Sequence, residues 1–218
     1  MRNTLVGYAL ILCFCMPGLA YGQGIGIGVK GGSTGLGVDF VSSIGSSLNI
    51  RLGGSFFPYT KDGIYEDKDV DIRYKAEANI ETYSAILDWY PFSSGFHLSG
   101  GVYYNGTKVD GSAVPNEPYT YGKRTFTPEE LGTLTGEAKY KSNFAPYVGM
   151  GFGNPVKTGK MVGAFIRIGA MYTDSPDFRM NGTGMIEPSA AQDKDIEDGL
   201  RDFKWYPVVN LGLSIKLF

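Results

Sequence analysis

The last fourteen residues of the chain read WYPVVNLGLSIKLF, from Trp205 to Phe218. Apolar side chains occupy alternate positions from Val209 to Leu217, and asparagine, glycine, serine and lysine fill the positions between them. A two-residue period is that of a β-strand. An apolar face opposite a small or polar face is typical of strands in bacterial outer-membrane barrels, where lipid-facing and lumen-facing residues alternate. The stretch therefore predicts an all-β, antiparallel, up-and-down transmembrane barrel.

The other end of the chain has the pattern of a secretory signal peptide. Arg2 supplies a positive charge, residues 5–15 form an apolar run, and Ala20-Tyr21-Gly22 is a small-x-small cleavage site. The apolar run is shorter than the roughly 20 residues that a spanning helix needs. We therefore expect residues 1–22 to be cleaved during export and residues 23–218 to form one barrel domain.

Composition excludes several classes of protein. Both cysteines, Cys13 and Cys15, lie in the predicted signal peptide, so the mature chain has no disulfide and no cysteine metal ligand. Its 19 basic and 22 acidic side chains give a net charge of −3, which offers no electrostatic footprint for nucleic acid. No later apolar run is long enough to span as a helix, so any membrane span must be made of strands.

The alternation predicts about ten strands, and eight or twelve are the alternatives. Bacterial barrels of this type have an even number of strands, and for that reason the weakly patterned residues 177–184 are included. A change of phase near residues 81–84 predicts a β-bulge. A short acidic helix is expected at residues 188–204, in the last extracellular loop, with a disordered loop as the alternative. The ten predicted strands are residues 24–31, 35–41, 48–57, 72–91, 96–105, 132–140, 144–153, 161–173, 177–184 and 205–218.

Turn lengths and aromatic residues suggest an orientation. Periplasmic turns of such barrels are short and extracellular loops are long, which predicts periplasmic turns at residues 42–47, 93–95, 141–143 and 174–176. Aromatic rings favour the membrane interfaces. The periplasmic rim is predicted to hold Trp89, Tyr90, Phe92, Phe96, Phe144 and Tyr147, and the outer rim to hold Phe56, Phe57, Tyr59, Tyr104, Trp205 and Tyr206.

Two segments carry a family resemblance. Residues 144–151 (FAPYVGMG) lead one strand, and residues 212–218 (GLSIKLF) end the chain. With these segments, the sequence resembles the small outer-membrane barrels of Gram-negative bacteria, of the outer-membrane protein A or W type. The resemblance implies an outer-membrane location and a terminal signal read by the barrel-assembly machinery, after escort by periplasmic chaperones. Leu217 and Phe218 are the candidates for that signal, and Leu217 is the one in phase with the outward residues.

The predicted lumen is polar. Charged residues of both signs fall on the inward parity and are expected to form a polar network: Lys30, Asp39, Arg51, Glu137, Lys139, Arg167 and Lys216. A barrel of eight to ten strands is filled by such side chains and leaves little room for an open channel. A narrow channel for a small solute is the alternative, since charged interior groups either plug or conduct.

Catalytic and metal-binding patterns are weak. His97-Leu98-Ser99 superficially resembles the His-x-Ser of outer-membrane lipid A deacylases, but the pair is predicted at the periplasmic end and Gly100 follows it. A lumen-packed histidine is the favoured interpretation. The acidic run from Asp67 to Asp71 lacks the glycine and glutamate of an EF-hand loop. No catalytic residue, cofactor or metal site is predicted.

The sequence therefore predicts an outer-membrane barrel with a structural or surface-interaction role. Its expected partners are outer-membrane lipid and lipopolysaccharide, and no nucleic acid. A narrow solute channel is the leading alternative, and an outer-membrane lipid-modifying enzyme is the third. A soluble β-sandwich or lipocalin-like fold is the alternative at the level of architecture.

Overall fold

The computed structural model describes residues 24–65, 71–92, 94–156, 161–186, 199 and 203–217. The predicted signal peptide, Phe218 and nearly all of the predicted acidic helix lie outside the described residues. No helix in the described ranges is both long enough and apolar enough to cross a membrane.

Thirteen strands and one short α-helix have both of their ends in these ranges. In chain order they are β1 Ile25–Gly32, β2 Gly35–Ser43, β3 Leu48–Tyr65, β4 Ile72–Trp89, β5 Phe96–Asn105, β6 Lys108–Pro115, β7 Tyr119–Tyr121, β8 Arg124–Phe126, α1 Pro128–Leu131, β9 Leu134–Tyr140, β10 Phe144–Phe152, β11 Val162–Tyr172, β12 Pro176–Gly182 and β13 Trp205–Lys216.

Eight of the described strands form a closed antiparallel ring. Its order is β1, β2, β3, β4, β5, β10, β11 and β13, and β13 pairs with β1 to close it. The ring matches the eight-strand alternative better than the predicted ten. The two surplus predictions, residues 132–140 and 177–184, are strands β9 and β12, which lie outside the ring. Their exposed faces carry charged residues, which a lipid-facing wall does not tolerate.

The remaining large strands form a second layer above the ring. Strands β3 and β4 are 18 residues long, whereas a membrane-spanning strand needs about 9–11. The far half of β4 pairs with β6 instead of β5, and β9 and β12 follow β6. We call this layer, made of β6, β9, β12 and the far halves of β3 and β4, the extension sheet. It continues one wall of the barrel beyond the membrane.

The predicted bulge near residues 81–84 is wrong. Strands β3 and β4 pair without interruption from Leu48 opposite Trp89 to Tyr65 opposite Ile72. The change of phase has another cause, because lipid surrounds the near half of β4 and water surrounds the far half. Leu87 faces lipid on the outer face, whereas Lys75, which shares its parity, faces water. The apolar parity therefore switches where the strand leaves the membrane, with no change in backbone register.

The two ends of the ring differ. Gly26 pairs with Lys216, so the start of β1 and the end of β13 meet at one rim, where β2 and β4 end and β3 and β5 begin. By the convention of outer-membrane barrels this rim is periplasmic. The extension sheet lies at the opposite, extracellular rim.

Two predicted periplasmic turns belong to the extracellular rim. Phe144 pairs with Tyr104 and Tyr172 pairs with Trp205, so residues 141–143 and 174–176 lie beside the extension sheet. These connections are short because each joins a strand of the ring directly to a strand of the extension sheet, and not because they are periplasmic. The outer aromatic rim includes the edge-to-face pairs Tyr104–Phe144 and Tyr172–Trp205, at 5.6 and 5.3 Å between ring centroids.

The predicted rim assignments of Tyr90 and Tyr147 are also wrong. Both rings are buried inside the barrel. At both positions the aromatic side chain follows the inward parity of the adjoining or containing strand, so it packs in the lumen and not in the lipid interface. Trp89 and Phe92 are exposed near the periplasmic end, in agreement with the predicted rim there.

Candidate functional site in the barrel lumen

The ring is apolar outside and polar inside. In β13, Leu211 and Leu213 are about three-fifths exposed, whereas their neighbours Asn210 and Ser214 are almost completely buried. A water-soluble β-sheet has the opposite arrangement. The exposed apolar belt is the surface that a membrane-spanning barrel presents to lipid, and the buried polar face forms the candidate site.

A layer of five buried charged groups crosses the lumen. Asp39 lies at its centre, with Lys30 Nζ 2.7 Å from Oδ1 and an Arg167 guanidinium nitrogen 2.6 Å from Oδ2. Arg51 lies 4.0 Å from the same carboxylate and makes two hydrogen bonds to Asp88, of 2.8 and 3.0 Å. Each of these side chains is exposed by no more than 2%. We call them the charged layer.

The charged layer contains three cations and two carboxylates. A buried ion is costly unless paired and hydrogen-bonded, and further contacts besides those to Asp39 compensate for this burial. The Arg51–Asp88 pair is bidentate, which is the strongest geometry for a guanidinium. The Ser99 hydroxyl donates to Asp88 at 2.6 Å, and the Arg167 guanidinium lies 3.7 Å from the centre of the Phe165 ring.

Inward-facing glycines make room for this layer. A Cβ atom on Gly53 would lie 2.3 Å from an Asp39 carboxylate oxygen and 2.9 Å from Lys30 Nζ. A Cβ atom on Gly151 would lie 2.6 Å from His97 Nε2. Asp39 and His97 therefore fit into the lumen because the residue paired with each on the neighbouring strand has no side chain.

An aromatic and apolar layer fills the lumen on the extracellular side of the charges. Tyr103 and Tyr147 meet edge to face at 5.2 Å between ring centroids. They belong to a buried cluster that also contains Ile86, Ala145, Met171 and Val208. We call this cluster the aromatic layer. The charged layer and the aromatic layer therefore lie at successive levels of the lumen.

The structure brings together four of the seven predicted lumen residues: Lys30, Asp39, Arg51 and Arg167. It adds Asp88, which sequence reasoning missed. The signal was present, because the outward parity of Leu87 and Trp89 already places Asp88 inward.

Glu137 and Lys139 are not in the lumen, so their predicted placement is wrong. Both lie on β9 in the extension sheet, with side chains 36% and 46% exposed. Glu137 pairs there with Lys108 at 3.0 Å. The prediction failed because it counted β9 as a strand of the ring.

The chain terminus is described only in part. Lys216 is half-buried opposite Gly26, at the periplasmic end and apart from the charged layer. Leu217 is exposed, and its backbone N–H donates to the Ile25 carbonyl at 2.7 Å. The predicted assembly role of Leu217 and Phe218 remains a prediction.

His97 and Ser99 lie side by side on the inward face of β5. His97 is fully buried, with Nδ1 3.3 Å from the Gly95 carbonyl and its ring 5.0 Å from that of Tyr90. Because the Ser99 hydroxyl donates to Asp88, its proton is not directed at the imidazole. In the described part of the chain, no group of three or more His, Cys, Asp and Glu side chains could hold a metal ion.

Two grooves lie on the charged face of the extension sheet. The groove nearer the barrel, of about 410 Å³, is lined by Gly106, Thr107, Lys108, Lys139, Tyr140, Lys141, Asn143 and Asp177. The groove farther from the barrel, of about 340 Å³, includes Lys75, Glu77, Asp110 and Glu137. We call them the rim groove and the distal groove.

Ion pairs shift the pKa values of exposed groups on this face. Hydrogen bonds to Glu137 and Asp110 raise the pKa of Lys108 above its ordinary value. The hydrogen bond from Lys108 lowers the pKa of Glu137. Both groups are therefore charged at neutral pH, and the face has fixed charges of both signs.

Comparisons with known proteins bear on the architecture. No protein-family model and no curated protein matches the chain. The crystal structure of CarO2 from Acinetobacter baumannii superposes with a TM-score of 0.60 at 18% identity, over 89% of this chain and 98% of that one. CarO from the same organism gives 0.57 at 20% identity, over 88% and 97%. The fold is that of an outer-membrane β-barrel.

A more distant structure agrees. A major outer membrane protein from Thermus thermophilus superposes with a TM-score of 0.51 at 14% identity, over 90% of this chain and 100% of that one. At these identities the likeness concerns the fold. It confirms the predicted fold class and the resemblance to outer-membrane barrels, and the apolar belt agrees with the predicted outer-membrane location.

Proposed function

We propose that this protein is a non-enzymatic outer-membrane barrel with a filled lumen, whose extension sheet serves a structural or surface-interaction role outside the cell. The charged layer is the observation that supports a filled lumen. Its five side chains are paired to one another in the lumen, and the aromatic layer lies on their extracellular side. A solute would have to break buried ion pairs and displace packed rings to pass.

The extension sheet supports the second half of the proposal. Strands that only cross the membrane would end near the rims, but β3 and β4 continue well beyond, and three further strands are added to them. The wall of the barrel is therefore an anchor for a large extracellular surface. The predicted recognition of Leu217 and Phe218 by the assembly machinery would deliver the barrel to the membrane.

Conductance of the purified protein in planar bilayers tests the filled lumen. We expect no discrete single-channel steps. An Arg51→Ala, Asp88→Ala double variant removes two side chains of the charged layer, and steps in this variant alone would show that the layer is the barrier. A Leu213→Ala variant, changed on the lipid face, is the matched control. Discrete steps in the unmodified protein would overturn the proposal.

The second candidate is a narrow channel for a small solute. The hydroxyls of Ser55, Thr82 and Ser84 are buried and have no hydrogen-bond partner among the described residues. Buried hydroxyls usually bind a partner, water included, so they favour some water in the wall of the lumen. Steps in the unmodified protein that a Ser84→Ala variant alters would favour this channel.

A lipid-modifying enzyme is the third candidate, and His97 is its test. Both His97 and Ser99 are buried in the lumen near the periplasmic rim, away from the outer leaflet. We expect the mass spectrum of lipid A to be the same in cells that express His97→Ala as in cells that express the unmodified protein. A lipid A modification that disappears in the variant would support catalysis.

A further inference from the structure

The outer face of the extension sheet continues the lipid-facing wall of the barrel. Strands β3 and β4 keep one register throughout, so Lys75 and Glu77 share the outward parity of Tyr83 and Leu87. The pairing of β4 with β6 and of β6 with β9 continues the same face across the extension sheet. Glu77 pairs with Asp110, and Asp110 pairs with Glu137. The charged face is therefore directed away from the barrel axis, over the surrounding membrane.

The rim groove lies just above the outer aromatic rim. Lys108 follows Tyr104 by four residues and Lys141 precedes Phe144 by three, and these two rings form an aromatic pair at the rim. Lys108 is opposite Asn79, four residues above Tyr83, which is opposite Tyr104. Four residues of strand span roughly 14 Å. The lysines thus lie at the level of the lipid head groups.

Charge is unevenly distributed along this face. The rim groove is lined by three lysines and one carboxylate, Asp177. The distal groove is lined by one lysine, Lys75, and three carboxylates. The lysine-rich part of this face is therefore the part at membrane level, and the carboxylates that pair with Lys108 lie on its far side. Because the outer leaflet of a Gram-negative outer membrane consists of phosphorylated glycolipid, its phosphates would meet the positive groove first.

Lys108 and Lys139, in the rim groove, retain donors for such an anion. An ammonium has three N–H donors, and Lys108 directs two of them at Asp110 and Glu137, at 3.1 and 3.0 Å. Lys139 lies 3.6 Å from Glu137, which is too long for a good hydrogen bond. Its side chain is 46% exposed. The surrounding carboxylates hold both lysines in place without using all of their donors.

We propose that the rim groove binds a phosphate of the outer-leaflet glycolipid, lipopolysaccharide, through Lys108 and Lys139. The phosphate oxygens accept hydrogen bonds from both ammonium groups, while the fatty acyl chains of the same molecule lie against the apolar belt below. The site is independent of conduction through the lumen, so a conducting barrel would leave this inference standing.

The test is the affinity of the full-length protein, in nanodiscs, for purified lipopolysaccharide. Each lost hydrogen bond between an ammonium group and a phosphate is expected to weaken binding roughly tenfold or more, so a Lys108→Gln, Lys139→Gln double variant is expected to bind on the order of a hundredfold more weakly. Lys75→Gln is the matched control, because it removes the same charge from the same face at the distal groove. Its affinity is expected to remain unchanged. Heat-modifiable gel mobility checks that every variant is folded.

Three further probes separate the sources of phosphate. Enzymatically dephosphorylated lipopolysaccharide is expected to bind the unmodified protein and the double variant equally weakly. Vesicles of phosphatidylglycerol and inorganic phosphate are expected to show no difference between the two. An equal loss in Lys75→Gln, or equal binding of native and dephosphorylated lipopolysaccharide, would overturn the proposal. A full effect with phosphatidylglycerol or with inorganic phosphate would replace the glycolipid by a general anion site and would also overturn it.

Discussion

At the scale of single residues, the Arg51–Asp88 pair is the strongest constraint in the lumen. Removal of one partner of a buried pair leaves an uncompensated charge, so Asp88→Ala is expected to destabilise the barrel by about 3–5 kcal/mol. Denaturant-induced unfolding in detergent, followed by gel mobility, measures this loss.

The double variant Arg51→Met, Asp88→Leu is the control for that prediction. Apolar residues of similar volume often replace a buried ion pair at little cost, so we expect the double variant to be more stable than Asp88→Ala. If the double variant is the less stable of the two, the pair contributes more to stability than the neutralisation of its two charges. The uncompensated charge of Arg51 would then not explain the loss of stability in Asp88→Ala.

Gly151 tests how tightly the lumen is packed. In Gly151→Ala, the new Cβ would meet His97 Nε2 and the Ile166 carbonyl oxygen, both at 2.6 Å. Overpacking of this kind typically costs about 1–3 kcal/mol. Gly100→Ala is the control, because nothing lies within 4 Å of its Cβ position. Comparison of the unfolding midpoints of the two variants checks the prediction. Equal midpoints would indicate that the lumen rearranges to accept the added methyl group.

At the scale of elements, strand period was predictable from sequence and strand partners were not. The alternation of β13 and β3 follows from an apolar face in lipid and a polar face in the lumen. The extension sheet does not keep this arrangement, because water replaces lipid there and the apolar parity changes side. The same switch made β4 resemble a bulged strand and made β9 resemble a strand of the ring, and so placed Glu137 and Lys139 in the lumen.

The extension sheet is expected to respond to acid while the ring does not. Since the hydrogen bond from Lys108 lowers the pKa of Glu137 below its ordinary value of 4.5, this ion pair stabilises the sheet above that pH. The contribution is lost as the pH falls through the folded-state pKa. Amide hydrogen exchange of β6 and β9 should therefore become faster on acidification, with correction for the intrinsic exchange rate.

Glu137→Gln is the control for acid sensitivity. The variant should show the faster exchange already at neutral pH and little further change on acidification. Amides of β1 and β13, inside the membrane, should remain protected throughout. If protection is lost uniformly in the ring and in the extension sheet, the two unfold together. That result would contradict the prediction that only the extension sheet responds to acid.

At the scale of the whole molecule, the sequence predicted the architecture better than its interior. Fold class depends on a repeated pattern over many residues, so an error at one strand leaves it intact. The composition of the charged layer depends on which strands close the ring, and on side chains such as Arg167 on β11 and Asp39 on β2, which approach one another only after closure. A pattern read along one strand contains no information about partners on other strands.

The position of the boundary between lipid and water is defined for the barrel as a whole. One pair of substitutions tests where it lies. Leu211 is on the lipid face of β13, and Ile64 is on β3 in the extension sheet; both are well exposed. Arginine near the bilayer midplane costs about 2–4 kcal/mol in a membrane barrel, whereas an exposed substitution in water usually changes stability by about 0.5 kcal/mol or less. We therefore expect Leu211→Arg to lower the unfolding free energy in lipid vesicles far more than Ile64→Arg. Equal losses would mean that the membrane boundary lies elsewhere on the barrel, and the rim groove would then no longer lie at head-group level.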